Sequence, residues 1–242
     1  MNDFVLTGFA LGVIVIFAAF QQTITGFGFS LIVMPLASFV LGLRVAAPLI
    51  ALASLTLYTI NLVRYRDAVN FAEVKPLALA AIFGVPVGVW LLANVNESLI
   101  KTILGLILIA YALYNLARPL QARLQSRGWG LLAGFVSGCL GGAYNTPGPA
   151  LVVYGTLRHW HKDEFRAILQ LLFFISAMLT VASHFVAQNI TPNVLVLYLV
   201  AAPALAVGSV LAARVDARIN KDAFRKIVIW MILVLGLSLV IR

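Results

Sequence analysis

Apolar stretches of about twenty residues fill roughly four fifths of this chain, and no other feature constrains its fold as strongly. A bilayer core is about 30 Å thick, and about 20 helical residues cross it. Runs bounded by charges or by Pro and Gly predict six full-length helices at 45–63, 75–93, 98–117, 166–187, 193–213 and 223–241. With 62% hydrophobic and 10% charged residues, the chain cannot have water as its main solvent. It reads as an all-α integral membrane protein with no separate soluble domain. In a soluble protein the net charge of +9 would point to nucleic acid; in a membrane chain it sets orientation, and no nucleic-acid partner is expected. Met1-Asn2-Asp3 lacks the basic region of a cleavable signal, so the first segment is expected to be retained. The single cysteine, Cys139, excludes a disulfide framework within the chain.

Two regions are apolar but interrupted. Residues 4–42 carry a long apolar piece, then Gly26-Phe27-Gly28-Phe29-Ser30, then a shorter piece. Residues 129–158 carry a short piece, then a run from Gly138 to Pro149, then another short piece. Each predicts a helical hairpin broken at its tip. The order hairpin, helix, helix, helix then occurs twice, over 1–117 (hairpin 4–42) and over 129–242 (hairpin 129–158), with 118–128 as a cytoplasmic linker. Gly28 and Pro35 recur as Gly142 and Pro149 at the same spacing. Gly88, Leu91, Ala93 and Val95 recur as Gly208, Leu211, Ala213 and Val215. Ser54, Tyr58 and Asn61 mark one face of the first helix after the first hairpin, and Ser176, Thr180 and Ser183 mark the corresponding face in the second half. Packing between helices explains such stripes as readily as a binding role does.

If both hairpins return the chain to the side it came from, all but Arg44, Lys101 and Arg242 of the 17 basic residues fall on one side. The positive-inside rule makes that side the cytoplasm and places both termini outside. The first half then begins outside and the second inside, so the two are inverted repeats, as in many secondary transporters.

None of the eight acidic residues lies mid-span, which argues against a carboxylate-coupled cation pump. The interior offers neutral groups instead: Gln21, Gln22, Thr23 and Thr25 before the first break, and Tyr144, Asn145 and Thr146 at the second. Ser30 is the expected N-cap of the helix after the first break, and Thr146 with Pro147 opens the one after the second. Two such helix starts meeting would supply about one positive charge equivalent, with N–H donors and no side-chain cation. That suits a small oxyanion approached closely by Gly26, Gly28, Gly141 and Gly142, with Gln21, Gln22 and Tyr144 as orienting partners and Thr25 beside them. No cofactor or metal is called for. His159-Trp160-His161 lacks a third ligand nearby, with Trp160 an interface anchor; His184 reads as an interfacial histidine and Cys139 as a packing residue. Ser137 with His184 faintly suggests an intramembrane hydrolase. A passive anion channel could use the same helix ends as a carrier.

The segments Thr25–Pro35 (TGFGFSLIVMP) and Gly138–Pro149 (GCLGGAYNTPGP) resemble the paired signatures of the sulfite exporter TauE/SafE family, and the resemblance covers nearly the whole chain. It implies an inner-membrane carrier, not an enzyme, that exports sulfur-containing anions such as sulfite, sulfonates or sulfoacetate, or another organic anion. Its partners would be that small anion and the lipid bilayer, with room for a coupling proton or ion and for a homo-oligomer. Phe27 and Phe29 depart from the more glycine-rich form of the first signature, and aromatic bulk there favours an organic anion.

Overall fold

The computed structural model describes residues 2–94, 102, 105, 106, 108–110, 112, 113, 116, 117, 123–126, 128–144, 147–216, 218 and 221–241. Its helices are α1 (Asn2–Thr25), α2 (Phe29–Leu41), α3 (Leu43–Tyr65), α4 (Phe71–Asn94), α5 (Trp129–Tyr144), α6 (Gly148–Leu157), α7 (Lys162–Val186), α8 (Pro192–Asp216) and α9 (Lys221–Val240). Five stretches are long and apolar enough to cross a membrane: Gly8–Thr25, Arg44–Ala68, Phe71–Gly88, Lys162–Val186 and Pro192–Asp216. Helices are what lipid demands, because every backbone N–H and C=O must be satisfied without water. Helix α1 ends at Thr25 and α2 begins at Phe29, with Gly26 and Gly28 between them, whereas α5 runs through Gly138, Gly141 and Gly142 to Tyr144 and α6 begins at Gly148. The expected helix 98–117 falls largely outside the described residues, as do Asn145, Thr146 and the side chain of Tyr144.

The chain forms two compact units, and neither coincides with a sequence half. One comprises 1–69 with 166–218, the other 70–165 with 219–242. In the first, α1 packs on α8, and α3 packs on both α8 and α2. Its core takes Leu11, Val15, Ala18 and Ala19 from α1, Phe29 and Val33 from α2, Leu49, Ile50, Ala53 and Leu57 from α3, and Val194, Leu197, Ala201 and Leu205 from α8. These recur at three and four residues, the spacing of one helix face. On α1, Phe9, Val13 and Phe17 stand exposed on the other side, the pattern of a helix that turns one face to lipid. A Cβ at Gly208 would meet the Ile16 carbonyl oxygen at 2.5 Å, so glycine is what lets α8 touch the α1 backbone.

In the second unit the dominant contact is α4 on α5. Gly134, Gly138 and Gly142, spaced by four, lie against the backbone of Leu77, Ala81 and Val85. Gly84 and Gly88 answer from α4 against Phe135, Gly138 and Cys139. This is a small-xxx-small zipper seen from both helices. The first arm of each hairpin thus packs on a helix from the opposite sequence half, and in both cases that is the second helix after the hairpin.

At one end of the second unit Arg158 gathers several groups. Its Nη2 and Nε lie 2.5 and 3.1 Å from the Glu73 carboxylate, and its Nη1 donates to the carbonyls of Leu124 and Gln125 at 2.6 and 2.9 Å. Trp160 Nε1 donates to the same carboxylate at 3.3 Å. The hydrogen bonds to Glu73 raise the Arg158 guanidinium above its ordinary value. The described part of the linker is therefore docked, not loose.

Candidate functional site

The first break is a knot of buried polar groups. Gly26 has φ of 89° and Gly28 of 105°, a left-handed conformation that glycine adopts without strain and that turns the chain between α1 and α2. The last carbonyls of α1 have no intrahelical partner and would be orphans in an apolar interior. Three of the last four find a side chain or backbone donor: the Gln22 carbonyl takes the Gly26 N–H at 2.7 Å, the Thr23 carbonyl takes the Tyr65 hydroxyl at 3.4 Å, and the Ile24 carbonyl takes Arg166 Nη2. The loop carbonyls are doubly served. Gly26 accepts from Gln22 Nε2 at 3.1 Å and Gln170 Nε2 at 2.8 Å; Phe27 accepts from Gln21 Nε2 at 2.8 Å and Thr25 Oγ1 at 2.9 Å.

The far side of the break starts α2 with a cap other than the one expected. The helix begins at Phe29, so Ser30 lies within its first turn; Gln22 Oε1 reaches across the break to accept the Phe29 N–H at 2.9 Å. A side chain seven residues upstream thus does what Ser30 was expected to do. Ile32 N–H bonds to the Gly28 carbonyl at 3.1 Å, leaving the Ser30 and Leu31 N–H groups as donors of that turn with no bond among the described residues. Above them hydroxyls converge: Ser30 Oγ lies 3.2 Å from Ser54 Oγ and 3.5 Å from the Tyr58 hydroxyl, all buried, with the Tyr58 ring 5.3 Å from that of Phe173. The polar stripe of α3 therefore points at the start of α2, and its third member, Asn61, meets Thr23 at 3.0 Å.

A side-chain cation does lie at this break, bound to protein groups. Arg166, expected as the first residue of the helix 166–187 and counted with the charges of the cytoplasmic side, is 0% exposed on α7, which begins four residues earlier, at Lys162. Both terminal nitrogens lie 2.8 Å from the Asp216 carboxylate, and the guanidinium carbon sits 5.4 Å from the Tyr65 ring centre. A cation at the C-terminal end of α1 offsets that helix's negative pole. Arg166 and Gln170, four apart, share one α7 face, a signal readable in the sequence once the helix is started at Lys162.

The second break is built differently. Ser137 Oγ donates to the Pro147 carbonyl at 2.8 Å and ties the two arms together. Helix α6 starts at Gly148 with Pro147 before it, one residue later than expected, because Pro147 takes the capping position. Gly142 is occupied by the contact with Val85, whereas the nearest described atoms to a Cβ at Gly141 belong to the Pro147 side chain, at 3.4 Å and beyond. In the second polar stripe Thr180 and Ser183 bond back to the carbonyls of Ser176 and Leu179 on their own helix. His184 pairs with Asn189 at 3.1 Å, and with Ser137 committed to Pro147 neither residue is arranged as a nucleophile and its base.

The first break is thus a buried polar cluster with a capped helix start inside an apolar helical chain. Residues 11–239 match the family described as Sulfite exporter TauE/SafE. The chain belongs to that family. Among curated relatives, the probable sulfite/organosulfonate exporter TauE of Cupriavidus necator is 26% identical over 229 residues, covering 91% of this chain and 88% of the relative. The probable inner membrane transporter protein TsaS of Comamonas testosteroni is 28% identical over 177 residues, covering 70% and 74%. No solved structure matches. Family members are membrane transporters and not enzymes, which agrees with the apolar helices and with the engaged Ser137.

Proposed function

We propose that this chain is a secondary transporter of the inner membrane that exports a small sulfur-containing or organic anion, of the sulfite, sulfonate or sulfoacetate class, by alternating access. The observation that carries the reading is the start of α2, where two N–H donors and three hydroxyls gather in a buried setting. The anion contacts Ser30 and the first turn of α2, while Gln21, Gln22, Thr25, Gly26 and Gly28 hold the loop in shape. Gly141, Tyr144, Asn145 and Thr146 form the corresponding element of the second hairpin. The relatives' printed names, a sulfite/organosulfonate exporter and an inner membrane transporter, support the substrate class and the membrane.

Inverted repeats account for the exchange of hairpins between halves and supply the two alternating states. With both termini outside, a fluorescent reporter fused after Arg242 that needs the cytoplasm to mature stays dark, and an exported enzyme reporter at the same place is active. The reverse pattern refutes the inversion. Labelled sulfite or ethanesulfonate loaded into proteoliposomes exchanges with unlabelled anion outside, whereas a channel gives single-channel current without counterflow. Ser30→Ala removes a hydroxyl from a charged ligand, worth about 1.5–3 kcal/mol, and raises the half-saturating concentration about ten- to hundredfold. An unchanged value removes Ser30 from the site.

A further inference from the structure

Gln170 is 1% exposed on α7, and its amide is only half used. Nε2 donates to the Gly26 carbonyl at 2.8 Å, and because a carbonyl only accepts, this bond fixes which way the amide faces. Oε1 is then left buried with no hydrogen-bond partner among the described residues. A buried acceptor without a donor is unfavourable and rare in folded chains. Gln22, its counterpart on the same carbonyl, is fully used: its Oε1 takes the Phe29 N–H. Three residues beyond Gln170 on the same helix, Phe173 packs on Tyr58, so this face of α7 borders both the loop of the break and the hydroxyls at the start of α2. Beside the N–H donors and the hydroxyls, which both donate and accept, Gln170 Oε1 is thus a buried acceptor still without a donor.

An anion made only of acceptors satisfies the donors and leaves Oε1 facing negative charge. An anion that also carries a hydrogen-bond donor satisfies both. We infer that Gln170 selects anions bearing a donor of their own beside the anionic group, such as a hydroxyl-bearing sulfonate. This inference rests on the anion-transport reading above and specifies which anions that site prefers.

The test is binding of three sulfonates of equal charge to the purified protein by calorimetry: ethanesulfonate, 2-hydroxyethanesulfonate and 2-methoxyethanesulfonate. The hydroxyl compound should bind about tenfold more tightly than ethanesulfonate, the effect of one satisfied buried acceptor. The methoxy compound keeps the oxygen but lacks the donor, and should fall back to the ethanesulfonate value. In Gln170→Met the hydroxyl compound should lose its advantage, read as the ratio of its affinity to that of ethanesulfonate within the same variant. Equal affinity for all three in the wild-type protein overturns the inference, as does a preference that survives Gln170→Met, and the comparison of ligands on wild type needs no variant to fold. Failure of every sulfonate and of sulfite to bind overturns instead the anion reading beneath it.

Discussion

Asp216→Ala should lower the melting midpoint of the detergent-purified protein by roughly 6–20 °C, the equivalent of about 3–5 kcal/mol in a chain of this size. An exposed ion pair would be worth less than about 1 kcal/mol, and burial decides between the two cases. Arg166 has no exposed surface and Asp216 is 9% exposed. Removing the carboxylate leaves a guanidinium charged in an apolar setting, and arginine does not escape by losing its proton. Arg166→Met with Asp216→Leu should recover much of the loss, because replacing both partners of a buried pair by apolar groups is often close to neutral. Recovery should remain incomplete, since the Ile24 carbonyl and the Tyr65 hydroxyl also lose the guanidinium they bond to. A single variant melting with wild type would show that the pair does not hold α7 and α8 to the break.

The hairpins could be read from the sequence because glycines and prolines clustered inside apolar runs either interrupt a helix or bring two helices close, and lipid tolerates little else. Gly26 and Gly28 predicted a turn, and their positive φ values show why the chain needed them. The Ser54, Tyr58 and Asn61 stripe was also legible, and two of its three members face Ser30. What escaped was whatever depends on partners far along the chain. Arg166 and Asp216 are fifty residues apart, and Gln170 meets a carbonyl 144 positions away. Bounding helices by charges placed Arg166 at the very start of its helix and not a turn inside it, although a paired charge is tolerated there. The cap of α2 was missed for a similar reason: Gln22 reaches across a turn that sequence spacing does not describe. In the second hairpin the same glycine richness carried a different meaning, since Gly134, Gly138 and Gly142 at intervals of four are a packing face.

Gly138→Leu should abolish the folded protein, giving no monodisperse species in detergent and no counterflow. Overpacking a core usually costs about 1–3 kcal/mol because side chains rotate away from the intruder. Here a Cβ would stand 2.9 Å from the Ala81 Cα and 3.0 Å from its carbonyl carbon, atoms that cannot rotate away. Helices α4 and α5 must separate, and the contacts at Leu77 and Val85 open with them. Gly12→Ala is the matching control, since nothing lies within 4 Å of its added methyl; alanine's helix preference, about 0.8–1.0 kcal/mol over glycine, should leave that variant at least as stable as wild type. A folded Gly138→Leu protein with an unchanged midpoint would contradict the zipper. The same geometry separates packing from binding at the second break: Gly142→Leu should fail in folding, as Gly138→Leu does. Gly141→Ala meets, among the described residues, only the side chain of Pro147 and should fold, so any change in its flux reports on the ligand and not on the helix contact.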